Sequence, residues 1–330
     1  MAPELVAVTG AGGFIGRATV AALLAGDIAH AGLVGPDEAE PQRLPAPPGP
    51  GRWDWGAIDD PGTADRLLDG ASSLIHLAGP PSVGQSFARP AEFFAAHAGG
   101  TANLLQAAAR SGHVRRVVVV SSAEIYGIPR ADVVVEDHEA RPLSPYAVAK
   151  LAAEGVAGVL AQVHGLEVVV IRPFAVYGPA SPPWSLVGIA VGQALQDDGS
   201  PVVMNDLERV RDLTYVDDVG DLLVRAATTP IDDLAGRAVA INAATGQGTS
   251  VLELARAALA AAGREAEIAE RPARPAPLPS EVLTGARPEW SDPVRLVGSC
   301  ARAQELLGWT PRTDVSAGLR EVVAARRLSI

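Results

Sequence analysis

The sequence is poor in cysteine and rich in acidic residues, and both properties restrict what the protein can be. It has one cysteine, Cys300, which excludes an internal disulfide framework and favours a reducing compartment. Its formal net charge of −11 makes duplex nucleic acid and anionic membrane surfaces poor partners. We therefore predict that the protein binds neither nucleic acid nor membranes.

From the sequence we expect neither a signal peptide nor a membrane-spanning helix. Its opening, MAPELVAVTG, has no basic region followed by an apolar stretch, which a signal peptide would have. No apolar run approaches the roughly 18 residues that a spanning helix needs. We expect a cytoplasmic protein.

Histidine and cysteine, the ligands that zinc prefers, are also few. The six histidines show no ligand spacing and a single cysteine cannot form a zinc cluster, so no metal site is predicted. The apolar share of 48% and the charged share of 20% are those of an ordinary globular protein. At 330 residues, the chain can form one large core, or a large core and a smaller lobe.

Short apolar runs alternate with helix-length patterns through the first half of the chain. The predicted strands are 5–10, 31–34, 72–79, 114–122 and 166–173, and the predicted helices are 14–26, 91–112 and 144–165. Strands that are apolar on both faces and alternate with helices form a parallel sheet covered on both sides. The predicted fold class is α/β, a Rossmann-like doubly wound parallel sheet with a smaller α/β C-terminal substrate lobe.

The segment TGAGGFIG (9–16) follows the first predicted strand and opens the first predicted helix. It places Gly10, Gly13 and Gly16 at G-x-x-G-x-x-G spacing. Glycines there permit a tight turn and close backbone approach, while the helix N-terminus offers free N–H groups to a pyrophosphate. In this strand–turn–helix context the pattern predicts a dinucleotide site.

The residue that would select between NAD and NADP is not visible in the sequence. A dinucleotide site usually has an acidic residue at the end of the second strand, where it holds the adenosine ribose. Here that strand ends at Val34, and the nearest carboxylates are Asp37 and Glu38. Arg43 lies too deep in the following loop to receive a 2′-phosphate. The choice of cofactor stays open at this point.

The pattern loosens near residue 173 into short strands, turns and helices. Residues 1–173 are therefore predicted to form the dinucleotide-binding domain, and residues 174–330 mainly a substrate-binding lobe. A later segment, about 212–245, is predicted to return to the first domain. Proline-rich stretches at 35–51 and 271–280 are predicted to be irregular loops, because proline interrupts both helices and central strands.

The chain has a single lysine, Lys150, among 27 basic residues. It follows Tyr146 by four residues on a predicted helix, so the two side chains lie on one face. An ammonium group beside a phenol favours the phenolate, so we predict that Lys150 lowers the pKa of Tyr146 and makes it a usable base. Arginine is larger and planar, and would replace the lysine poorly.

Taken together, these motifs resemble the extended short-chain dehydrogenase/reductases, the NAD(P)-dependent epimerases, dehydratases and reductases that act mostly on nucleotide-activated sugars. The resemblance covers nearly the whole chain, and the family default favours NAD slightly. The matching motifs are TGAGGFIG (9–16), LIHLAG (74–79), SSAEIYG (121–127), SPYAVAK (144–150), RPFAVYGP (172–179), RDLTYVDD (211–218) and AQELLGWTP (303–311).

The resemblance implies a role for each matching residue. Tyr146 would be the catalytic acid/base, Lys150 its partner, and Ser122 the hydrogen-bond donor to the reacting oxygen. Arg211 and Arg287 would bind the diphosphate of a nucleotide sugar, an anion that suits the guanidinium fork. The implied cofactor-binding residues are Gly10, Gly13, Phe14, Ile15, Gly16, Leu77, Ala78, Gly79, Tyr146, Lys150 and Pro173. The implied substrate-binding residues are Ser122, Ala175, Arg211 and Arg287.

Four positions depart from the family pattern. Ala57 replaces an aspartate near the adenine, and the acidic residue of the second strand is missing. His97 replaces an asparagine, and Ala175 replaces another asparagine that touches the substrate. The first two changes loosen the grip on the cofactor, which suits a reductase that exchanges its cofactor at every turnover. An epimerase gains from keeping NAD bound.

The leading hypothesis is therefore an NAD(P)-dependent 4-ketoreductase acting on a nucleotide-diphosphate 4-keto-(deoxy)hexose. In it, hydride reaches a ketone that Ser122 polarises and Tyr146 protonates. The alternative is a nucleotide-sugar 4-epimerase that uses the same residues reversibly. Such an enzyme would be similar to the UDP-glucose and UDP-glucuronate 4-epimerases.

Two further alternatives remain open. Glu124 stands where the family's 4,6-dehydratases have a catalytic acid or base, although those enzymes usually have threonine at the position of Ser122. A non-catalytic dinucleotide-binding protein is the last alternative, and such proteins tend to lose the tyrosine or the lysine. By family analogy we also expect a homodimer that pairs through the helices at 91–112 and 144–165.

Overall fold

The computed structural model describes residues 5–35, 51–58, 60–196, 198–271, 279–282 and 286–328. Most of the loop predicted at 35–51 lies outside the described residues, together with Asp37, Glu38 and Arg43. Most of the connector predicted at 271–280 lies outside them as well.

A seven-stranded parallel sheet forms the centre of the protein. The strands of the described chain are β1 (Leu5–Thr9), β2 (Ala29–Val34), β3 (Gly51–Trp55), β4 (Ser73–His76), β5 (Arg116–Val120), β6 (Glu167–Pro173), β7 (Ala175–Tyr177), β8 (Val202–Met204), β9 (Val210–Tyr215), β10 (Ala238–Ala243), β11 (Gly248–Ser250), β12 (Ile268–Glu270) and β13 (Arg295–Leu296). The central sheet has the order β10-β6-β5-β4-β1-β2-β3, and all neighbours are parallel. The predicted doubly wound α/β fold is confirmed.

Helices cover both faces of this sheet. The described helices are α1 (Phe14–Ala25), α2 (Pro61–Leu68), α3 (Val83–Ala88), α4 (Pro90–Phe94), α5 (Gly100–Ser111), α6 (Pro145–His164), α7 (Leu186–Ala194), α8 (Val216–Thr228), α9 (Val251–Ala262), α10 (Pro279–Val282), α11 (Ala301–Leu307) and α12 (Val315–Arg327). One core lies between the sheet and α1, α8 and α11. A second core lies on the opposite face, beneath α2, α5 and α6. Burial on both faces explains why the central strands are almost continuously apolar.

Helix α6 shows how the local sequence sets the start and end of an element. Ser144 caps it by accepting a hydrogen bond from the Ala147 N–H at 3.1 Å, Pro145 occupies the first turn, and Gly165 ends it at φ +70°. The helix is long and apolar enough to cross a membrane by length and composition alone. Here its alanine-rich face is buried against the second core.

The structure corrects two of the sequence predictions. The helix predicted at 91–112 is interrupted, because a π-helical turn at Ala95–Gly99 separates α4 from α5. An edge strand, β3, was missed, since it is short and directly follows the proline-rich stretch.

The chain beyond β6 contributes to two regions. Helix α8 packs against α1, and β10 extends the central sheet beside β6. Helix α11 packs against α8 and β10 in the first core, and a third core is built mainly by α7, α9 and α12 around β9. Strand β9 pairs with β7, β11 and β13, and β8 pairs with β12.

Candidate active site

The glycine loop lies at the C-terminal end of β1, where the strand order of the sheet reverses. Gly10 has φ +66°, and a Cβ atom there would lie 3.0 Å from the Ala78 nitrogen. A Cβ on Gly16 would lie 2.0 Å from the Gly10 carbonyl oxygen, so only glycine allows α1 to approach the loop this closely. This is the position in which doubly wound folds bind dinucleotides.

The N-terminus of α1 points its free N–H groups into this region. The N-cap residue is Gly13, which has no side chain, so no side chain caps the N–H groups of the first turn, which Phe14 and Ile15 begin. Unsatisfied N–H groups and the positive end of the helix dipole favour a phosphate group. Together with the open glycine backbone, this arrangement fits the pyrophosphate of a dinucleotide.

Thr9 links the end of β1 to the segment that follows β4, which lies opposite the glycine loop. Its hydroxyl oxygen accepts hydrogen bonds from the Leu77 and Ala78 N–H groups at 3.1 and 3.2 Å. It lies 2.8 Å from His76 Nδ1, to which it can donate its proton. Burial, with the nearby charge of Lys150, lowers the pKa of His76 to about 3, so the ring is a neutral acceptor. His76 is thus a structural residue.

The structure brings together Ser122, Tyr146 and Lys150 at the C-terminal ends of the strands. Ser122 follows β5, and Tyr146 lies in the first turn of α6. The Lys150 Nζ atom lies 5.7 Å from the centroid of the Tyr146 ring and donates to the Val120 carbonyl oxygen at 2.8 Å. A hydroxyl, a phenol and an ammonium so arranged can hold an alcohol or carbonyl oxygen and transfer its proton.

The electrostatics differ from the sequence-based prediction for Tyr146. Burial raises the pKa of Tyr146 to about 12, the hydrogen bond from Ser122 opposes this shift, and the charge of Glu124 adds to it. Burial lowers the pKa of Lys150 to about 8, against the charge of Glu154. The pKa of Tyr146 therefore rises in this structure where the sequence predicted a fall, because desolvation of the phenolate outweighs the hydrogen bond from Ser122.

His97 lies beside the tyrosine, in the π-helical turn. Its ring packs edge-on against Tyr146 with centroids 5.3 Å apart, and its Nε2 atom lies 3.1 Å from the Pro80 carbonyl oxygen. The ring also fills the space next to Gly79, where a Cβ atom would lie 2.4 Å from it. Burial, assisted by the Lys150 charge, lowers the pKa of His97 to about 2, so it is a neutral packing residue.

Two further predicted residues lie at the same edge of the sheet. Pro173 ends β6 opposite Ala243 of β10. Ala175 begins β7, is half-buried, and pairs with Leu213 of β9. Both therefore lie where the chain passes from the central sheet into the C-terminal lobe.

The predicted diphosphate arginines meet around a carboxylate that sequence reasoning missed. Asp292 lies 2.6 Å from Arg211, 3.3 Å from Arg287 and 2.5 Å from Arg209, measured between nitrogen and oxygen atoms. The signal for Arg209 was its position two residues before Arg211, since extended chain places such residues on one face, although β9 itself begins at Val210. Nothing local in the sequence pointed to Asp292. Glu124 also belongs to this cluster, through a two-pronged ion pair with Arg287.

Among the described residues, no three histidine, cysteine, aspartate or glutamate side chains are grouped so that they could hold a metal ion. The cleft offers hydroxyl, phenol, ammonium and guanidinium groups.

The fold and the site define a class: an enzyme of the extended short-chain dehydrogenase/reductase type. The sequence profile of the NAD dependent epimerase/dehydratase family matches residues 6–242, and the chain belongs to this family. The resemblance found in the sequence is thereby confirmed.

Comparison with known proteins gives relatives across nearly the full length. The chain is 31% identical to a UDP-glucose 4-epimerase of Mycolicibacterium smegmatis, over 96% of each chain. It is 29% identical to a GDP-6-deoxy-D-mannose reductase of Pseudomonas aeruginosa, over 96% of this chain and 95% of that one. The UDP-glucose 4-epimerase of Thermus thermophilus, solved in complex with NAD, superposes with a TM-score of 0.83 at 29% identity, over 99% of this chain and 100% of the other.

Proposed function

We propose that the protein is a UDP-sugar 4-epimerase that interconverts the two configurations at C4 of a hexose. This is the alternative rather than the leading hypothesis drawn from the sequence. The observation that carries it is the 31% identity to a UDP-glucose 4-epimerase over 96% of both chains. The catalytic residues agree with this proposal, since Ser122, Tyr146 and Lys150 form the acid/base group that an epimerase needs.

NAD would be held by the glycine loop, by Leu77, Ala78 and Gly79 opposite it, and by Lys150. When bound, it supplies the hydride acceptor and donor. Tyr146 would remove the proton of the sugar 4-hydroxyl group and later return it, which balances the two hydride transfers at C4 that NAD would supply. Ser122 has one hydroxyl proton, which it would donate to the tyrosine oxygen in the free enzyme and to the sugar 4-oxygen when substrate is bound.

Lys150 supports the phenolate form of Tyr146, which burial disfavours. The substrate diphosphate would be bound by Arg211 and Arg287, whose guanidinium forks match phosphate oxygens. Anchoring the nucleotide at a distance from C4 leaves the sugar free to present either face for hydride return.

A 4-ketoreductase is the second candidate, and two observations favour it. One relative is a GDP-6-deoxy-D-mannose reductase, at 29% identity. Ala57 also stands where the family usually has an aspartate near the adenine, a change that would loosen the hold on the cofactor. The dehydratase alternative is weakened by Ser122, since the family's 4,6-dehydratases usually have threonine at that position.

Incubation with UDP-glucose and NAD tests the proposal. We expect UDP-galactose to accumulate to an equilibrium mixture without net consumption of cofactor, as measured by separating the two nucleotide sugars. The absorbance of the purified protein before and after heat release of ligands should show NAD retained through purification. A protein that is purified without bound NAD, and that oxidises added NADH or NADPH only when a 4-keto nucleotide sugar is present, would instead establish the reductase.

The titration of Lys150 gives the reaction a pH dependence. With its pKa lowered to about 8, the lysine is an ammonium below that pH and neutral above it. We expect kcat/KM, measured between about pH 6 and 10, to fall above about pH 8 as the charge that supports the phenolate is lost. His76 and His97 titrate far below this range and cannot produce that limb.

The matched variant for this pH profile is Lys150→Arg. A guanidinium stays charged throughout the range, so the variant should be slower than the wild type and lack the alkaline limb. An alkaline limb that stays at the same pH in Lys150→Arg would assign the titration to another group.

We also propose that the protein forms a homodimer through the outer face of α4, α5 and α6. Large apolar side chains on this face are exposed by 45–66%, namely Phe94, Val148, Val159 and Val163. Val159→Glu combined with Val163→Glu should convert a dimer to a monomer in light scattering. Val294→Glu, at an equally exposed valine on the segment before β13, is the control. A wild-type monomer would refute this part.

A further inference from the structure

An ion pair crosses the cleft between the sheet and the C-terminal lobe. Glu124 lies in the 3₁₀ turn that follows Ser122, and Arg287 lies in the segment before β13. The Arg287 Nη1 atom donates to Glu124 Oε1 at 3.1 Å, and Nη2 donates to Oε2 at 2.9 Å. The two side chains are exposed by only 23% and 20%. The guanidinium that family resemblance assigns to the substrate diphosphate is therefore held by a carboxylate of the protein.

The charges in this cluster are balanced. Three arginines, Arg209, Arg211 and Arg287, contact three carboxylates, those of Asp206, Asp292 and Glu124. A diphosphate therefore meets no surplus positive charge here, and must compete with at least one of these carboxylates.

Of the two carboxylates that contact Arg287, Glu124 is the easier to displace. Asp292 is contacted by three arginines, whereas Glu124 is contacted by one. Arg287 is also incompletely satisfied in this arrangement, because its buried Nε atom makes no hydrogen bond within the described structure. A buried donor without an acceptor costs free energy, which a further anionic oxygen would recover.

We propose that Glu124 is a specificity-determining residue that competes with the substrate diphosphate for Arg287. Binding of a nucleoside diphosphate transfers the guanidinium from Glu124 to the phosphate oxygens, while Arg211 stays on Asp292. This inference rests on the proposed function, since it takes a nucleoside diphosphate as the group bound.

The exchange also links the phosphate subsite to the reacting end of the cleft. The backbone N–H of Glu124 donates to the Ser122 hydroxyl oxygen at 3.2 Å, so the two residues share one turn. Once released, the Glu124 carboxylate has lost its guanidinium partner and faces the cleft, where it can accept hydrogen bonds from sugar hydroxyl groups. The partner exchange thus selects ligands that have both a diphosphate and a hydroxyl-bearing sugar.

The test is the affinity for UDP alone, measured by calorimetry on the full chain at fixed pH and ionic strength. Glu124→Gln removes the competing charge and should bind UDP about three- to tenfold more tightly, the range expected for a partly exposed ion pair. Arg287→Gln should weaken UDP binding. Adding Glu124→Gln to that variant should not restore the affinity for UDP, because the guanidinium for which Glu124 and the diphosphate compete is then missing.

The control for net charge is Glu139→Gln. Glu139 also pairs with an arginine, Arg141, but on the exposed surface, so this variant should bind UDP as the wild type does. Equal affinity of Glu124→Gln and the wild type would overturn the exchange, as would an Arg287→Gln variant with unchanged affinity. A wild-type protein that binds no UDP would overturn the proposed function, and the exchange with it.

Discussion

Replacing Tyr146 with phenylalanine is expected to reduce turnover of the UDP-sugar by about 10²- to 10⁴-fold, the usual contribution of a general acid/base. The substitution removes one hydroxyl group and keeps the ring, which packs edge-on against His97 and Phe93. The protein should therefore stay folded and bind cofactor. The measurement is the initial rate of C4 epimerisation, together with a cofactor titration of the same preparation.

A second tyrosine provides the control for this loss. Tyr215→Phe removes a hydroxyl from a tyrosine in the core of the C-terminal lobe and should leave the rate close to that of the wild type. If Tyr146→Phe kept its rate within tenfold, proton transfer would have to be assigned to another group, and Glu124 would be the first to examine.

The second large effect is expected in stability, from Glu154→Ala. Glu154 forms a two-pronged ion pair with Arg172, at 3.1 and 2.7 Å, and both side chains are about nine-tenths buried. Removal of one partner leaves an uncompensated buried charge, which costs about 3–5 kcal/mol of unfolding free energy. The midpoint of thermal or urea-induced unfolding should fall clearly, with the loss of the native circular-dichroism signal as the readout.

Two further variants test whether the buried charge causes the loss of stability in Glu154→Ala. Glu139→Ala breaks an exposed pair and should leave the midpoint unchanged. Replacing both partners, with Glu154→Leu and Arg172→Met, should recover part of the loss, because no charge is then left buried. A Glu154→Ala protein as stable as the wild type would show that Arg172 is satisfied by its hydrogen bonds to Tyr126 and the Glu136 carbonyl group.

The features that could be predicted from sequence are those set by neighbours in the chain. The glycine loop is a strand, a turn and a helix in succession, and Tyr146 and Lys150 are one helical turn apart. Both arrangements follow from local spacing, so both could be recognised before the fold was known.

The features that could not be predicted depend on residues far apart in the sequence. Arg287 and Glu124 are separated by 163 positions, and no periodicity relates them. The π-helical turn at Ala95–Gly99 was missed because its sequence also fits a regular helix. The pKa of Tyr146 was predicted in the wrong direction, because the depth of burial is a property of the packed fold.

The return of the chain to the sheet at β10 has a consequence for exchanging parts between relatives. Polypeptide leaves the sheet after β6, builds β7 to β9, and comes back through α8 and β10 before leaving again. The two lobes are therefore interleaved, and a single crossover near residue 173 would pack α1 and β6 of one parent against α8 and β10 of the other. A chimaera with a new sugar pocket needs several junctions, which keep α8 and β10 with the nucleotide-binding half. The unit of recombination in this fold is a set of insertions rather than a C-terminal half.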